Sequence, residues 1–525
     1  MNHDDIIIKD GDAMSDQQTT KRFSRKKKVI GGMTIVGLCA AGAAIVPLGG
    51  GNSSAFTGES QGILCSTQFT DTGSHRAYTI TAKDGYTSEP DGNAVYDWGF
   101  SDDTNFRLPG PVLCVHQGQT VDITLHNQLT VDTSIQFPGQ EGVTYGSPAA
   151  PVGPVTDNSH KLLSLVPMAG KNGGSQTYSF TASKAGTFLY QSGTDPQFQV
   201  QMGLFGAIVV YPNITVTKDD ILNAPTDDPT TPGGVKLNKD IVDTQGHMTD
   251  GQAQTAADAA GCAYASITDP TKCDPNAIFE KDRENILLLS EVDPGLHGWA
   301  EQNKASGPSM DTYPGAYEAH YYMINGRSMP DTIAPNNAPW LPGQPMGALA
   351  TVEPWDLHVN PLDAMLRYVS VGVTGYDFHP HSNHEHVIAT DASLMKAVNG
   401  STVDNNTEEK FNIMVSPGAT VDATFRWTNE EGYSNTDGKR VPVEWPTGLN
   451  LTEGDFWSGS PYLGSSGKLN PGILTKTQCG EYYHVAHSHD LTQVTNYGIT
   501  FGGMLTLIKV EPPQSVQDVN GKCNG

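Results

Sequence analysis

The sequence predicts an all-β protein, and three observations support that fold class. Glycine and proline are abundant, with 57 Gly and 34 Pro among 525 residues. Short runs rich in Val, Ile, Thr and Tyr alternate between apolar and polar residues, which is the period of a half-buried strand. Turn residues separate these runs at intervals of about 8–12 residues, a spacing typical of β-sandwiches.

The N-terminal 64 residues differ from the rest of the chain. A basic run, Lys21–Lys28, precedes the apolar segment Val29–Leu48. Positive charge ahead of about 20 apolar residues is typical of an export signal or a signal anchor. We therefore expect residues 1–28 to be a disordered cytoplasmic segment, 29–48 to be a signal peptide or membrane anchor, and 49–64 to be a linker. The protein is predicted to be exported to a periplasmic, extracellular or cell-surface location, and the sequence leaves cleavage and anchoring open.

The formal net charge of −26 argues against a nucleic-acid partner. A phosphate backbone requires a basic protein face, and the only basic run lies ahead of the apolar segment. The acidity suits a solvated, exposed surface instead.

Six of the seven cysteines lie beyond the apolar segment, and an even number in an exported protein predicts disulfides. Cys262 and Cys273 close a short loop and are the expected pair. The remaining four allow three connectivities, among which spacing does not choose: Cys65, Cys114, Cys479 and Cys523.

Two strand-rich blocks follow, at residues 65–212 and 281–512. The first predicts strands within His75–Ala82, Val112–Leu129, Ser175–Ala182, Gly186–Gly193 and Leu204–Pro212. The second predicts strands within Asn285–Leu289, Tyr321–Thr332, Ala364–Asp391, Phe411–Asn429 and Tyr482–Val510. Residues 213–280, rich in Asp, Thr, Pro, Gly and Ala, are predicted to be a linker or excursion. We expect a packed insertion at 428–480 and a short tail at 513–525.

Several motifs resemble the multicopper oxidase branch of the cupredoxin superfamily. The segment GPVLCVHQGQTVDITLHNQL is similar to the start of that family's first domain. In the second block, ING, LRYVSVG, a His-rich loop, VSPGATVDATF and HSH…GGM follow the order of the family's last domain. The resemblance extends over about Cys65–Val510 and implies two cupredoxin-like Greek-key β-sandwich domains.

The family holds copper through four histidine motifs, and both first-domain motifs are altered here. Gln136 and Pro138 occupy the histidine positions of the first motif, and Gln191 and Gly193 those of the second. Glutamine is a poor copper ligand beside imidazole, and Pro and Gly have no ligating side chain. The resemblance therefore implies that the first-domain half of the trinuclear copper cluster is lost.

The third motif, H-P-x-H-x-H, lies at the His-rich loop of the second block. The resemblance places His379 at the mononuclear-copper position and His384 at a cluster position, while Ser382 replaces the middle histidine. His381 and His386 are additional imidazoles that do not follow the family pattern.

The fourth motif lies near the C-terminal end of the second block. His487 and His489 occupy cluster positions, Ser488 replaces the copper thiolate, and Gln493 replaces the second mononuclear-site histidine. Met504 is a candidate axial thioether. Because strand residues alternate between faces, His487 and His489 should share one face and Ser488 the other. A blue-copper site requires the Cys thiolate, so its electron-transfer chemistry is not expected.

The histidines nonetheless predict a metal site. Pairs at i and i+2 on an extended chain can chelate Cu, Zn or Ni. Copper is the first expectation and zinc the alternative, with one arrangement at His384, His487 and His489. A second interpretation is that the imidazoles are hydrogen-bonded to backbone and carboxylates without a metal. The candidate metal residues are His379, His381, His384, His386, His487 and His489.

Two functions therefore compete, and the sequence leaves enzymatic activity open. The first is an exported protein with degenerate copper sites that serves as a non-catalytic metal-binding, structural or interaction module. The second is a copper-dependent oxidoreductase whose sites are rebuilt from the extra histidines. No substrate follows from the sequence. Membrane attachment through 29–48 and a homotrimer, as in two-domain relatives, are further expectations.

Overall fold

The computed structural model describes residues 62–226, 236–240, 246–353, 355, 357–381, 384–427, 455–456, 467–468 and 482–510. All of these belong to one compact unit, Ala55–Gly525. The segments expected at 1–28 and 29–48, nearly all of 49–64, most of the insertion at 428–480 and the tail at 513–525 lie outside the described residues. Within the described ranges, no helix has the length and apolar character needed to cross a bilayer.

The first sandwich contains two sheets packed face to face. The larger sheet has the order β1-β2-β5-β10-β6-β7, with β3 beside β2, and the smaller has the order β11-β12-β4. Ile123 and Tyr178 of the larger sheet meet Ile208 of the smaller one in a common core. Every strand predicted in this block is present. The elements are β1 (Phe69–Asp71), β2 (His75–Ser88), β3 (Ala94–Ser101), β4 (Leu113–His116), β5 (Thr120–Asn127), β6 (Thr144–Tyr145), β7 (Ala150–Pro151), β8 (Val155–Thr156), β9 (Leu162–Ser164), β10 (Gly174–Thr181), β11 (Gly186–Gln191), α1 (Pro196–Gln199) and β12 (Phe205–Tyr211).

Residues 213–280, predicted to be a linker or excursion, contain regular elements that pack on the second sandwich. Thr217 and Thr249 each form a capping box that begins a helix. Ala253 and Ala257 of the second helix pack in one cluster with Phe279. The predicted disulfide Cys262–Cys273 is confirmed, and Cys65–Cys114 forms a second one, whereas Cys479 and Cys523 lie outside the described residues. The elements are α2 (Lys218–Leu222), β13 (Pro225–Thr226), β14 (Lys236–Leu237), α3 (Asp250–Ala259) and β15 (Ala260–Cys262).

The second sandwich pairs a large sheet, β15-β16-β19-β27-β21-β22 with β17 and β25 alongside, with the sheet β18-β31-β30-β20-β26. Leu366 of the first and Phe378 and Ile508 of the second share its core. The elements are β16 (Ile278–Val292), α4 (Pro294–Gln302), β17 (Tyr321–Ile324), β18 (Ala350–Val352), β19 (Asp363–Ser370), β20 (Tyr376–Pro380), β21 (Glu385–Thr390), β22 (Ser393–Leu394), β23 (Lys396–Asn399), β24 (Thr402–Asn405), β25 (Glu408–Lys410), β26 (Ile413–Val415), β27 (Thr420–Phe425), β28 (Asp455–Phe456), β29 (Gly467–Lys468), β30 (Tyr482–Ser488) and β31 (Leu505–Val510).

An apolar layer joins the two sandwiches. Leu189 and Val209 of the smaller first sheet pack with Leu288 and Val369 of the large second sheet. Strand β12 is therefore buried on both faces, because its alternate residue Ile208 lies in the first sandwich core. This explains why its sequence is a continuous apolar run rather than an alternating one.

A buried ionic network crosses the same interface. The Arg367 guanidinium donates to Glu284 Oε1 at 2.6 Å and to Thr187 Oγ1 at 3.0 Å. It also lies 3.3 Å from Asp422 Oδ2. The Thr187 hydroxyl donates to Asp422 at 2.6 Å, and Tyr211 donates to Glu284 at 2.8 Å. Arg367 is 1% exposed, so its charge is stable only because two carboxylates from the second sandwich and a hydroxyl from the first surround it.

Replacing Arg367 by methionine should strongly destabilise the fold. Arg367→Met leaves Glu284 and Asp422 buried without their counter-charge, a change that costs roughly 3–5 kcal/mol in unfolding free energy. Urea unfolding monitored by fluorescence measures this loss.

The matched control is Lys161→Met. Lys161 pairs with Asp311 at 3.0 Å, but both side chains are more than half exposed. Removing such a pair should change the unfolding free energy by less than about 1 kcal/mol. Equal losses in the two variants would contradict a structural role for the buried network.

Candidate functional site

The pairing of β20 with β30 positions the candidate site. These strands are antiparallel, and His379 lies directly opposite His487. Directly opposite residues share one face of a sheet. Phe378 and Ala486, the neighbours of this pair, point into the core of the second sandwich. His379 and His487 therefore lie on the outer face of the five-stranded sheet.

Four imidazoles gather at this position, and we call them the imidazole cluster: His379, His381, His487 and His489. The His379 ring lies 4.5 Å from that of His381, 5.7 Å from that of His487 and 5.1 Å from that of His489, measured between centroids. The His487 ring lies 4.9 Å from His381 and 5.8 Å from His489. The two histidine loops of the sequence therefore face each other.

Hydrogen bonds to the backbone fix the tautomers of two rings. His487 Nδ1 donates to the Ser488 carbonyl at 2.7 Å, and His379 Nδ1 donates to the Phe411 carbonyl. A neutral imidazole that donates through Nδ1 keeps its lone pair on Nε2. His381 Nε2 lies 3.0 Å from His487 Nε2, so His381 must be the donor in that contact. Such carbonyl contacts are the usual way in which metal-ligating imidazoles are oriented.

Burial favours the neutral form of three rings in the cluster, His379, His381 and His487. Desolvation lowers the pKa of both His379 and His487 below that of a free imidazole. Burial, together with the neighbouring His379 and His487 rings, lowers the pKa of His381 to about 3. The three rings therefore carry lone pairs at neutral pH rather than protons that would repel a cation.

The remaining predicted histidines have other surroundings. The His384 ring lies 5.7 Å from that of Phe411. His386 lies on β21 of the large sheet, with its Nδ1 3.2 Å from Glu409 Oε1. His484, which is not among the predicted candidates, is buried on the inner face of β30, where Trp427 Nε1 donates to its Nε2 at 3.2 Å.

The residues predicted at the mononuclear-copper position also lie together. The Ser488 hydroxyl donates to Gln493 Oε1 at 2.6 Å. Backbone bonds join Ser488 N–H to the Met504 carbonyl at 3.0 Å and Met504 N–H to the Gln493 carbonyl at 2.9 Å. All three residues are buried. His379, which the resemblance places at this position, shares the face of His487 rather than that of Ser488.

The first-domain motif positions surround a buried hydroxyl network that the sequence analysis did not anticipate. Gln136 and Gln191 pair through their backbones. Around them, hydroxyls bond one another and one glutamine, for example Ser134 to Thr194 at 2.8 Å and Ser192 to Gln199 at 2.7 Å. The Ser and Thr density of both motifs is the only sequence signal for it. Its members are Thr133, Ser134, Ser164, Ser192, Thr194 and Gln199.

The imidazole cluster meets part of the requirement for a metal. For two nitrogens each about 2.0 Å from an ion, a separation of 3.0 Å corresponds to an N–metal–N angle of roughly 100°. Ring centroids around a tetrahedral ion lie roughly 5 Å apart, inside the observed span of 4.5–5.8 Å. Across the described ranges, however, no three His, Cys, Asp or Glu side chains are already placed as ligands of one ion. A third ligand therefore requires rotation of His379 or His489.

Comparisons with known proteins agree with the fold. No family model matches the chain. A curated multicopper oxidase from Cercospora beticola is 32% identical over 109 residues, which are 21% of this chain and 15% of that protein. The chain therefore aligns with less than a fifth of that relative's length.

Solved structures similar to this chain include copper proteins. A blue copper oxidase from Nitrosomonas europaea is 16% identical, with 84% of this chain and 86% of that one covered and a TM-score of 0.44. A copper nitrite reductase from the same organism is 15% identical, with 83% and 94% covered and a TM-score of 0.38. Sequence identities near 15% and TM-scores below 0.5 say nothing about the activity of this protein. The fold itself defines the class, an all-β protein of two packed sandwiches, and 109 of its residues are similar to part of a curated multicopper oxidase.

The lowered pKa of His381 predicts its titration in the metal-free protein. An unperturbed histidine titrates near pH 6.5. His381 should stay neutral when the pH falls from 7 to 5, because burial and the adjacent rings disfavour its charged form. Ring NMR signals, assigned with His381→Gln, measure this. Protonation of His381 near pH 6.5 would show that the cluster is solvated and open.

Proposed function

We propose that this protein is an exported, cupredoxin-like metal-binding module that holds one transition-metal ion at the imidazole cluster. The contact that carries the proposal is His381 Nε2 to His487 Nε2 at 3.0 Å. Two ring nitrogens in a half-buried position lie at the separation that one ion would impose, and His381 would ligate once its proton moves from Nε2 to Nδ1. The carbonyl contacts of His379 and His487 hold those rings in the tautomer that ligation needs.

Copper is the favoured metal and zinc the alternative. Imidazole ligands suit both ions, and neither requires the thiolate that Ser488 replaces. When bound, such an ion would cross-link the two histidine loops and offer a Lewis-acid centre. The chain's part is to orient the rings through the Phe411 and Ser488 carbonyls and to exclude water by burial.

The proposal does not extend to the multicopper oxidase reaction. The hydroxyls at the first-domain motif positions bond one another, and the Ser488 hydroxyl bonds Gln493. Polar groups that are already paired in a buried site have little to offer a metal ion. We therefore propose that both family copper sites have been lost and that the protein acts without redox catalysis.

A second candidate is a copper-dependent oxidoreductase with a rebuilt site. His381 favours it, because this residue lies outside the family pattern and yet lies 3.0 Å from His487. The two disulfides support export, since such bonds persist in oxidising compartments. Membrane attachment through 29–48 and a homotrimer stay proposals.

Metal titration tests the proposed site. The protein freed of metal should bind one Cu²⁺ or Zn²⁺ per chain by calorimetry, and copper should give no blue thiolate band. His381→Gln and His487→Gln should each weaken metal binding by about a hundredfold or more. Loss of a group that only hydrogen-bonds a metal ligand already costs about tenfold to a hundredfold in affinity.

His386→Gln is the matched control, because His386 lies in the other sheet beside Glu409. Its affinity should equal that of the wild type. Failure of the wild-type protein to bind, or equal losses in all three variants, would refute the imidazole cluster as the site. Copper-dependent O₂ consumption with a phenol or metal-ion reductant, abolished by His381→Gln, would favour the oxidoreductase instead.

A further inference from the structure

A chain of buried polar groups runs between the sandwiches, away from the imidazole cluster. His297 of α4 contacts Asp97 of β3 at 3.0 Å through Nδ1. Its Nε2 contacts the Gln201 carbonyl at 3.1 Å. The Gln201 side chain accepts from Tyr317, whose hydroxyl lies 3.4 Å from Glu291 Oε1. Gln201 of the first sandwich therefore connects His297, through its backbone carbonyl, with Glu291, through its side-chain contact to Tyr317.

Geometry makes His297 an imidazolium. Its Nδ1 faces both the Tyr96 carbonyl, at 2.7 Å, and Asp97, while its Nε2 faces the Gln201 carbonyl. All three partners are acceptors only. A neutral ring would direct one lone pair at an oxygen, in a place where the side chain is fully buried. A proton on each nitrogen removes that conflict, and Asp97 balances the charge.

Glu291 is the second buried ionisable group of this chain, and its two carboxyl oxygens differ in their contacts. Val373 N–H donates to its Oε1 at 2.6 Å. Its Oε2 and the hydroxyl of Tyr376 have no hydrogen-bond partner among the described residues. Both atoms lie against the Cα of Gly372, where an added methyl would collide with each of them. A small rotation would let one hydrogen bond join Glu291 Oε2 to Tyr376, with either the carboxyl proton or the phenol proton as donor, so this pairing is open to both forms of Glu291.

The surroundings do not offer a counter-charge to Glu291. The ionisable groups at the two positions are Asp97, which faces His297; Asp293, whose carboxylate caps α4; and the phenols Tyr317, Tyr322 and Tyr376 near Glu291. None of these is a cation, so no counter-charge in this group offsets the burial of an ionised Glu291. The hydrogen bonds from Val373 N–H and Tyr317 lower the pKa of Glu291, but burial raises it by more.

We propose that Glu291 and His297 each hold a proton and together form a latch between the two sandwiches, which loosens as those protons leave in alkaline solution. Loss of the His297 proton breaks the buried pair with Asp97 of the first sandwich. Loss of the Glu291 proton buries a bare carboxylate beside Tyr317 and Gln201. The latch ends at Tyr376, on the same strand as His379, and it does not depend on metal binding.

The direction of the pKa shifts agrees with this geometry. Burial raises the pKa of Glu291 to about 7. Burial alone would lower the pKa of His297, but the Asp97 carboxylate and the hydrogen bonds raise it above the usual value. For a group whose folded pKa lies above the unfolded one, stability is fully present below the unfolded value. It is lost as the pH rises through the folded value.

Glu291→Gln tests the carboxyl half of the latch. Glu291 holds its proton between the unfolded value of 4.5 and about 7. Each proton held only by the folded chain changes the unfolding equilibrium constant about tenfold per pH unit. Between pH 5 and 7, Glu291 should therefore make the unfolding equilibrium constant of the wild-type protein rise about tenfold per pH unit. Urea unfolding of Glu291→Gln should lack this contribution. Glu408→Gln, at an exposed glutamate, should keep the wild-type dependence.

Two measurements on the wild-type protein serve if the variant does not fold. Ring ¹⁵N spectra at pH 7 should show both His297 nitrogens protonated. The Val373 amide should lose hydrogen-exchange protection, beyond the intrinsic pH effect, as the pH rises above 7. An unchanged pH dependence in Glu291→Gln, a neutral His297 ring at pH 7, or constant Val373 protection would each overturn the proposal.

Discussion

The antiparallel pairing of β20 with β30 is the contact on which the candidate site depends. The register places His379 opposite His487, and the alternation of each strand then assigns every neighbour to a face. Outward positions carry imidazoles, and inward positions carry Phe378, Ala486 and the buried Ser488. A slip of one residue would exchange these sets, placing imidazoles in the core. The apolar core therefore fixes the cluster geometry as firmly as any contact between the rings.

The union of the sandwiches combines an apolar layer with buried charge. The apolar layer around Leu189 and Leu288 supplies the non-directional attraction between the sheets. Arg367 of the second sandwich contacts both Thr187 of the first and Asp422 of the second, and the Thr187 hydroxyl donates to Asp422. These contacts form only when the two sandwiches have the observed relative position. Buried ion pairs of this kind add little net stability, because desolvation offsets their attraction. An arrangement of the sandwiches that separated the partners would leave a buried charge without its counter-charge. In this interface they select the relative position of the sandwiches rather than their tendency to associate.

Particular residues show what the sequence could and could not predict. Alternation located β5 and β10, because one face of each strand meets the core. The short loop between Cys262 and Cys273 identified that disulfide. In contrast, His381 departs from the family pattern, and its place in the imidazole cluster follows from the strand pairing, which its backbone bond to the Val485 carbonyl at 2.9 Å extends by one residue. The hydroxyl network was not anticipated, because the Ser and Thr density of the motifs does not show which hydroxyls, 30 or 60 residues apart, pair with one another.

The two sandwiches differ at the positions where the resemblance places copper ligands. In the first, Ser134 and its neighbours bond one another, so the buried polar groups are satisfied within the protein. In the second, the Ser488–Gln493 pair on the inner face is closed in the same way. On the outer face, His379 and His487 each donate from Nδ1 to a backbone carbonyl, and each carries its lone pair on Nε2. In the metal-free cluster the His487 lone pair accepts from His381 Nε2 at 3.0 Å, so this face too is hydrogen-bonded. A bound ion, as proposed, would replace that hydrogen bond once the His381 proton moves to Nδ1. The first sandwich has Gln136, Pro138, Gln191 and Gly193 at the motif positions and therefore offers no such exchange.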